Sequence, residues 1–147
     1  MYKRILVATD GSKLSQKAVE HGLGLADLTG AEVVALKVIP RYPQTYFEGG
    51  VALAAAEISK IEAQWQEEAM AVVNAVKAAG QKREIKVKAI TAKSDLVAEA
   101  IIAAAKRSKC DLIIMASHGR KGLKRLLLGS ETTHVLTHSH IPVLVLR

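Results

Sequence analysis

The sequence predicts an α/β protein, an open five-stranded parallel sheet with helices on both faces in a three-layer α/β/α arrangement. Three observations predict it. Five short apolar runs are separated by helical segments: KRILVA (3–8), EVVALKVI (32–39), IKVKAIT (85–91), DLIIMAS (111–117) and PVLVLR (142–147). Stretches within them such as VVAL, LIIM and VLVL do not alternate apolar with polar, which marks strands covered on both faces. The resulting order, β-α-β-α-β-α-β-α-β, is the one that right-handed crossovers fold into a parallel sheet.

Each helical segment carries its own punctuation. Ser12 caps a helix that runs to about Leu28 and ends at Gly30. Its expected buried positions are Ala18, Gly22, Leu25 and Ala26. A long helix covers about 51–79, closed by Gly80, with Ile58, Ile61, Trp65, Ala69, Val72, Val76 and Ala79 forming one apolar stripe at steps of three or four. A third helix covers about 95–107 and carries Leu96, Ala100, Ile101 and Ala104. The last runs from about Ser130 to Ser139. The stretch PRYPQTYFEGG, from Pro40 to Gly50, is the one long irregular connection, a loop beside a site or a partner surface. No internal repeat, low-complexity tract or linker divides the 147 residues, so a single domain over 1–147 is expected.

Composition narrows the function. Half of the residues are hydrophobic and the mean hydropathy is +0.17, which excludes a disordered chain. Aromatic residues make up only 3 %, too few for a platform that stacks single-stranded bases. A net charge of +7 favours an anionic partner without choosing among nucleotide, nucleic acid and membrane. No helix-turn-helix, RRM or KH signature supports nucleic acid. Cys110 is the lone cysteine, so no internal disulfide and no cysteine-based metal site is possible, as suits a reducing cytoplasm. MYKRILVATD reads as a strand and not as a signal peptide, and no apolar run approaches the ~20 residues that cross a bilayer.

In an open parallel sheet, ligands bind beyond the carboxyl ends of the strands. Two of those ends have unusual composition: ATDGS after the first strand and ASHGRKG after the fourth. If these strands are neighbours where the strand order reverses, the two loops share one crevice. Gly119 and Gly122 would let backbone N–H groups approach an anion. Gly129 and Ser130 begin the last helix, whose first N–H groups and dipole attract phosphate. The same pair can equally be a turn and a helix cap. Arg120, Lys121, Lys124 and Arg125 are interleaved with these glycines and tip the balance towards an anion, although Lys124 and Arg125 also suit a solvated face. Neither a G-x4-G-K-[ST] loop nor a G-x-G-x-x-G fingerprint is present, so a nucleotide must be held another way.

Taken together, the opening ILVATDGS, the closing IPVLVLR, the element order and the register Ala116-x2-Gly119-x9-Gly129-Ser130 resemble the universal stress proteins over the whole chain. Their nucleotide-binding members carry G-x2-G-x9-G-[S/T] after the fourth strand. The resemblance implies a Rossmann-like fold of the adenine nucleotide alpha hydrolase type. It implies binding of ATP, or of AMP or ADP, with Mg2+ or Mn2+. On that reading Ala8 and Thr9 line the adenine side, and Val38 offers its backbone to the adenine edge. Asp10 meets the ribose or a divalent ion bridging the phosphates, although it also suits a turn or a helix start. Met115, Ala116, His118, Gly119, Arg120, Lys121 and Gly122 wrap ribose and phosphates, and Gly129, Ser130, Glu131 and Thr132 close over the tail. Glu131 would repel phosphate unless its carboxylate faces away, leaving its backbone N–H to contribute. Ala116 stands where the family has its first motif glycine, and it fits only if the local φ is negative.

No catalytic residue is assigned. His118 has no sequence-evident nucleophile or orienting acid beside it. His134 and His138 are four apart on the last helix, a spacing that can hold zinc, but no carboxylate accompanies them in a metalloprotease pattern. A polar helix face is the simpler reading. The expectation is therefore a nucleotide-binding regulatory protein with little or no hydrolysis. The alternative is a nucleotide-free, dimeric interaction protein of the stress response. The apolar final strand is expected to pair with its copy in a homodimer, as it does in the resembled family.

Overall fold

The computed structural model describes residues 1–42, 55–119 and 128–147. The nine described elements are β1 (Arg4–Ala8), α1 (Lys13–Thr29), β2 (Glu32–Ile39), α2 (Ala55–Gln81), β3 (Val87–Lys93), α3 (Val97–Arg107), β4 (Leu112–Ala116), α4 (Ser130–His138) and β5 (Val143–Leu146). All pairings are parallel and the strand order is β3-β2-β1-β4-β5. The chain winds outward from β1 in one direction and then returns to the other side of it with β4. The order therefore reverses between β1 and β4, where Ile5, Leu6 and Val7 pair with Leu112, Ile113 and Ile114.

Successive side chains on a strand point to opposite faces, and both faces here are apolar. One set, Ile5, Val7, Val33, Ala35, Leu112 and Ile114, packs against Ala18, Leu23 and Ala26 of α1 and Val73 and Val76 of α2. The other set, Leu6, Val34, Leu36, Ile113 and Met115, packs against Ala98, Ile101, Ala104 and Ala105 of α3 and Val135 of α4. The continuous apolar runs of the sequence are thus strands buried on both sides. Cys110 sits in the second cluster, where burial pushes its thiol up to about 11 and keeps it protonated.

Helix α1 starts and stops as its sequence predicts. The Ser12 hydroxyl accepts the Ser15 N–H at 3.2 Å, and Gly30 closes the helix with φ +74°. Three expectations need correction. Gly80 does not close α2; it lies inside a helix that continues to Gln81, and a Cβ there would come within 2.2 Å of the Val87 side chain. It is a contact point against β3, and the apolar stripe accordingly turns by one residue, burying Val73 where Val72 was expected. Leu96 is not core: α3 begins only at Val97, and Leu96 is 58 % exposed. The third strand runs two residues later than predicted. After α2 the chain first turns back, with the Arg83 and Ile85 N–H groups both on the Gly80 carbonyl. Of the irregular stretch from Pro40, residues 43–54 lie outside the described residues. Its first residues are anchored by an Arg41 N–H to Asp95 bond of 2.9 Å and by stacking of Tyr42 on Trp65.

Candidate functional site

The reversal between β1 and β4 brings their following loops together, as the reading of the two glycine-containing loops requires. After Ala8, the Thr9 N–H still bonds the Leu36 carbonyl at 2.9 Å, so the chain leaves the sheet only at Asp10. Asp10 Oδ1 accepts the Ser12 N–H at 2.9 Å, a side-chain turn that starts α1. The other carboxylate oxygen faces Gly119: a Cβ on Gly119 would sit 3.1 Å from Asp10 Oδ2. The loops after β1 and β4 are therefore in contact, and a larger residue at 119 would press on the carboxylate.

The start of α4 closes the same corner. The Gly129 N–H bonds the Ser117 carbonyl at 2.8 Å, and a Cβ on Gly129 would lie 3.3 Å from that oxygen and 3.4 Å from His118 Cα. Thr132 is buried and its hydroxyl lies 3.0 Å from both the Ala116 and the Ser117 carbonyls. That hydroxyl ties the end of β4 to α4 and is spent on the protein. Glu131 turns away from the corner, as phosphate binding would need. Its carboxylate accepts the Ala98 N–H at 2.8 Å and caps α3, which has no side-chain cap of its own. Gly129, at the N-cap of α4, cannot do the same for its own helix. No side chain among the described residues accepts from the N–H groups of the first turn of α4.

The remaining candidates fall around this corner. Ala8 and Val38 are half-buried at the carboxyl ends of β1 and β2, both on the α3–α4 face of the sheet. Thr9 is buried, its hydroxyl 3.0 Å from Ser15 Oγ and accepting the Gly11 N–H, so only its backbone can face a ligand. Met115 is buried in the core below. His118 Nδ1 lies 3.2 Å from Ser117 Oγ. Ser130 is exposed at the first position of α4. Ala116, the departure from the glycine motif, ends β4 in ordinary extended backbone. Among the described residues, only Glu84 and Lys109 carry positive φ without being glycine. The alanine is thus accommodated without strain. Arg120, Lys121, Gly122, Lys124 and Arg125 lie outside the described residues.

One neighbour was missed in the sequence. Lys37 Nζ reaches to 3.5 Å from the Asp10 carbonyl, placing a cation beside the corner. The signal was present: Lys37 is the one charged residue in the run VVALKVI, just before the carboxyl end of β2. A charge set in an otherwise buried strand needs a partner or an edge to reach.

Sequence comparison settles the ancestry. The Universal stress protein family pattern matches residues 1–147. The chain belongs to the universal stress protein family. It is 33 % identical over 147 residues to the universal stress protein MJ0531 of Methanocaldococcus jannaschii, covering all of this chain and 83 % of that one. It is also 33 % identical to the universal stress protein MJ0577 of the same organism. The solved structure of that protein superposes with a TM-score of 0.82 over 99 % of this chain and 96 % of the other. A universal stress protein solved in complex with cAMP shares the fold at 22 % identity, with a TM-score of 0.72 over 99 % of this chain and 97 % of that one. No helix among the described residues of this family member is long and apolar enough to cross a membrane.

Proposed function

We propose that this universal stress protein binds an adenine nucleotide, ATP or its mono- or diphosphate, in the corner between the loops after β1 and β4. The observation that carries the reading is the start of α4. It presents first-turn N–H groups that no side chain among the described residues caps, with Gly129 packed on Ser117 and His118, the residues just before the Gly119 that meets Asp10. Unpaired N–H groups at a helix start, together with the helix dipole, make an anion site. The adenine lies against the backbone of Ala8, Thr9 and Val38, the ribose against Met115, Ala116 and His118, and the phosphates against Gly119 and Gly129–Thr132, with Arg120, Lys121 and Gly122 completing the wrap. Asp10 would repel a polyphosphate unless a cation lies between them, so on this reading its carboxylate shares Mg2+ or Mn2+ with the phosphates. A relative of this fold binds cAMP, so the architecture admits an adenine nucleotide; the assignment for this chain rests on its own residues.

On this reading the protein is a regulator of the stress response that turns over nucleotide slowly or not at all, and it works in the cytoplasm. The nearest histidine to the corner, His118, is directed to Ser117 and has no carboxylate orienting it among the described hydrogen bonds. It also forms a homodimer through residues 141–147: β5 is an edge strand and Leu144 is 41 % exposed, an apolar edge that an isolated sheet would leave open.

Titration calorimetry with ATP and Mg2+ tests the site. A dissociation constant near 10 µM is expected, about −7 kcal/mol. Asp10→Ala should weaken it by about tenfold or more, or about 1.4 kcal/mol. Hydrolysis should stay well below ~1 s⁻¹, the lower edge of ordinary enzymes. No heat and no thermal shift with any adenine nucleotide would leave the nucleotide-free scaffold as the surviving account.

A further inference from the structure

Helix α4 carries a second feature, on the exposed part of its surface. His134 and His138 are one turn apart, and their rings lie face to face with centroids 4.2 Å apart and planes 30° from parallel. His138 Nδ1 is 3.0 Å from the His134 carbonyl oxygen. A carbonyl can only accept, so Nδ1 carries the proton, and the neutral ring keeps its lone pair on Nε2. This is the arrangement by which metal-binding histidines are oriented, one ring nitrogen donating to a backbone oxygen while the other faces the ion. No hydrogen bond among the described residues holds the His134 ring, which leaves it able to turn.

We propose that His134 and His138 form a two-point site for a divalent transition ion of the Cu2+ or Ni2+ kind, each ring ligating through Nε2. An ion must lie in the plane of both rings, so the stacked pair has to open: the His134 ring, which no hydrogen bond among the described residues holds, turns to bring its Nε2 beside that of His138. Two imidazoles suit the ions that bind nitrogen most strongly, Cu2+ first and Ni2+ below it, better than zinc, whose protein sites use three or four protein ligands. Among the described residues no third histidine, cysteine or carboxylate completes a cluster, so water fills the other positions and the ion exchanges freely. The rings sit one and two turns along α4 from Ser130, roughly 6 and 12 Å along the axis, so this site does not depend on the nucleotide reading.

His21 supplies an internal control. It is an exposed helical histidine with the same bond, Nδ1 2.9 Å from the Lys17 carbonyl, but residues 17 and 25 are Lys and Leu. The test is titration of the nucleotide-free protein with CuCl2 in a non-coordinating buffer, followed by calorimetry and by electron paramagnetic resonance. One readily exchanging equivalent is expected, with splitting from two equivalent nitrogens. His134→Ala and His138→Ala should each weaken it at least tenfold with unchanged circular dichroism, and His21→Ala should leave it unchanged. The proposal is overturned if either α4 variant binds copper like the parent, or if the parent spectrum shows fewer than two equivalent nitrogens. Copper that remains equally tight in the His134→Ala/His138→Ala double variant, as at the amino terminus, overturns it as well.

Discussion

Helices α1, α3 and α4 all begin at the carboxyl edge of the sheet, yet side chains among the described residues cap only two of those starts. Ser12 caps α1 from the preceding loop, and Glu131 caps α3 from a different helix. The start of α4 has a glycine at its N-cap and no side chain on its first-turn N–H groups among the described residues. The contrast is sharper because the acidic residue in the first turn of α4, Glu131, is the one lent to α3. A carboxylate retained there would satisfy the helix and repel an anion. Lent away, it leaves a positive helix end packed beside Ser117 and His118. Two kinds of helix start thus occur on one edge of the sheet, one closed by a side chain and one that no side chain among the described residues closes. Changes at each should separate along that line.

The largest effect is expected at the joint between the two kinds. Thr132→Val keeps the shape but removes the hydroxyl that meets the Ala116 and Ser117 carbonyls, both beside the core. Leaving buried acceptors without that donor should cost about 1–3 kcal/mol. In a chain of this length each kcal/mol moves the melting temperature by about 2–4 °C. Nucleotide affinity should fall with it, because the same hydroxyl sets the position of α4 against His118. A melting temperature unchanged by this substitution would mean that α4 is not tied to β4 in the way described.

Next comes Glu131→Ala. It uncaps α3 from a distance, and a lost cap costs about 0.5–2 kcal/mol. Stability should drop while nucleotide affinity holds or rises, since a negative charge leaves the neighbourhood of the phosphates. Chemical denaturation alongside calorimetry reads both quantities. A loss of affinity larger than the loss of stability would place Glu131 in the ligand site itself.

These two residues also show what could be read before the fold was known. The strands, the cap at Ser12, the stop at Gly30 and the corner formed by the two glycine-containing loops follow from local signals: unbroken apolar runs, cap chemistry and motif spacing. The partnership of Glu131 with Ala98 is 33 residues long in sequence and depends on how α3 and α4 lie together, so no local pattern announces it. Gly80 misled for a related reason. A glycine near the end of a helix resembles a stop, but this one is required by the approach of Val87 on the neighbouring strand. Leu96 fits the right period but stands one residue before the helix, because the chain enters α3 only after the exposed turn at Ser94.

Ser130→Pro separates the two kinds of start most cleanly, at modest size. Ser130 is the first residue of α4, where proline is tolerated because that N–H has no partner within the helix. Gly129 has φ −59° and ψ 155°, the extended conformation that a residue before proline requires. Stability should therefore change little. If the Ser130 N–H binds phosphate, affinity should drop about fivefold, close to 1 kcal/mol. Affinity equal to the parent would remove that N–H from the site.

The smallest effect lies at the opposite edge of the sheet, where charged side chains are paired with one another. There Arg4 donates to Glu32 at 3.0 Å and to the Ser108 carbonyl, Lys86 approaches Glu32 at 3.3 Å, and Asp111 accepts the Lys3 and Arg4 N–H groups. Lys86, and after it Arg4, hold the Glu32 carboxyl below its ordinary value of 4.5. A depressed carboxyl pKa means that the unfolded chain binds the proton more readily, so stability rises with pH across that range. The contribution of Glu32 is present above about pH 4.5 and disappears as the pH falls through the lower folded value. Because the group is exposed, salt screens it and the effect is slight. Glu32→Gln should be marginally less stable than the parent at pH 7 and low salt, and the difference should shrink as the pH falls below about 4.5. Nucleotide affinity should be the same in both, since the change sits at the far ends of the strands from the corner. A shift in affinity would show that the two edges are coupled through the sheet and not independent.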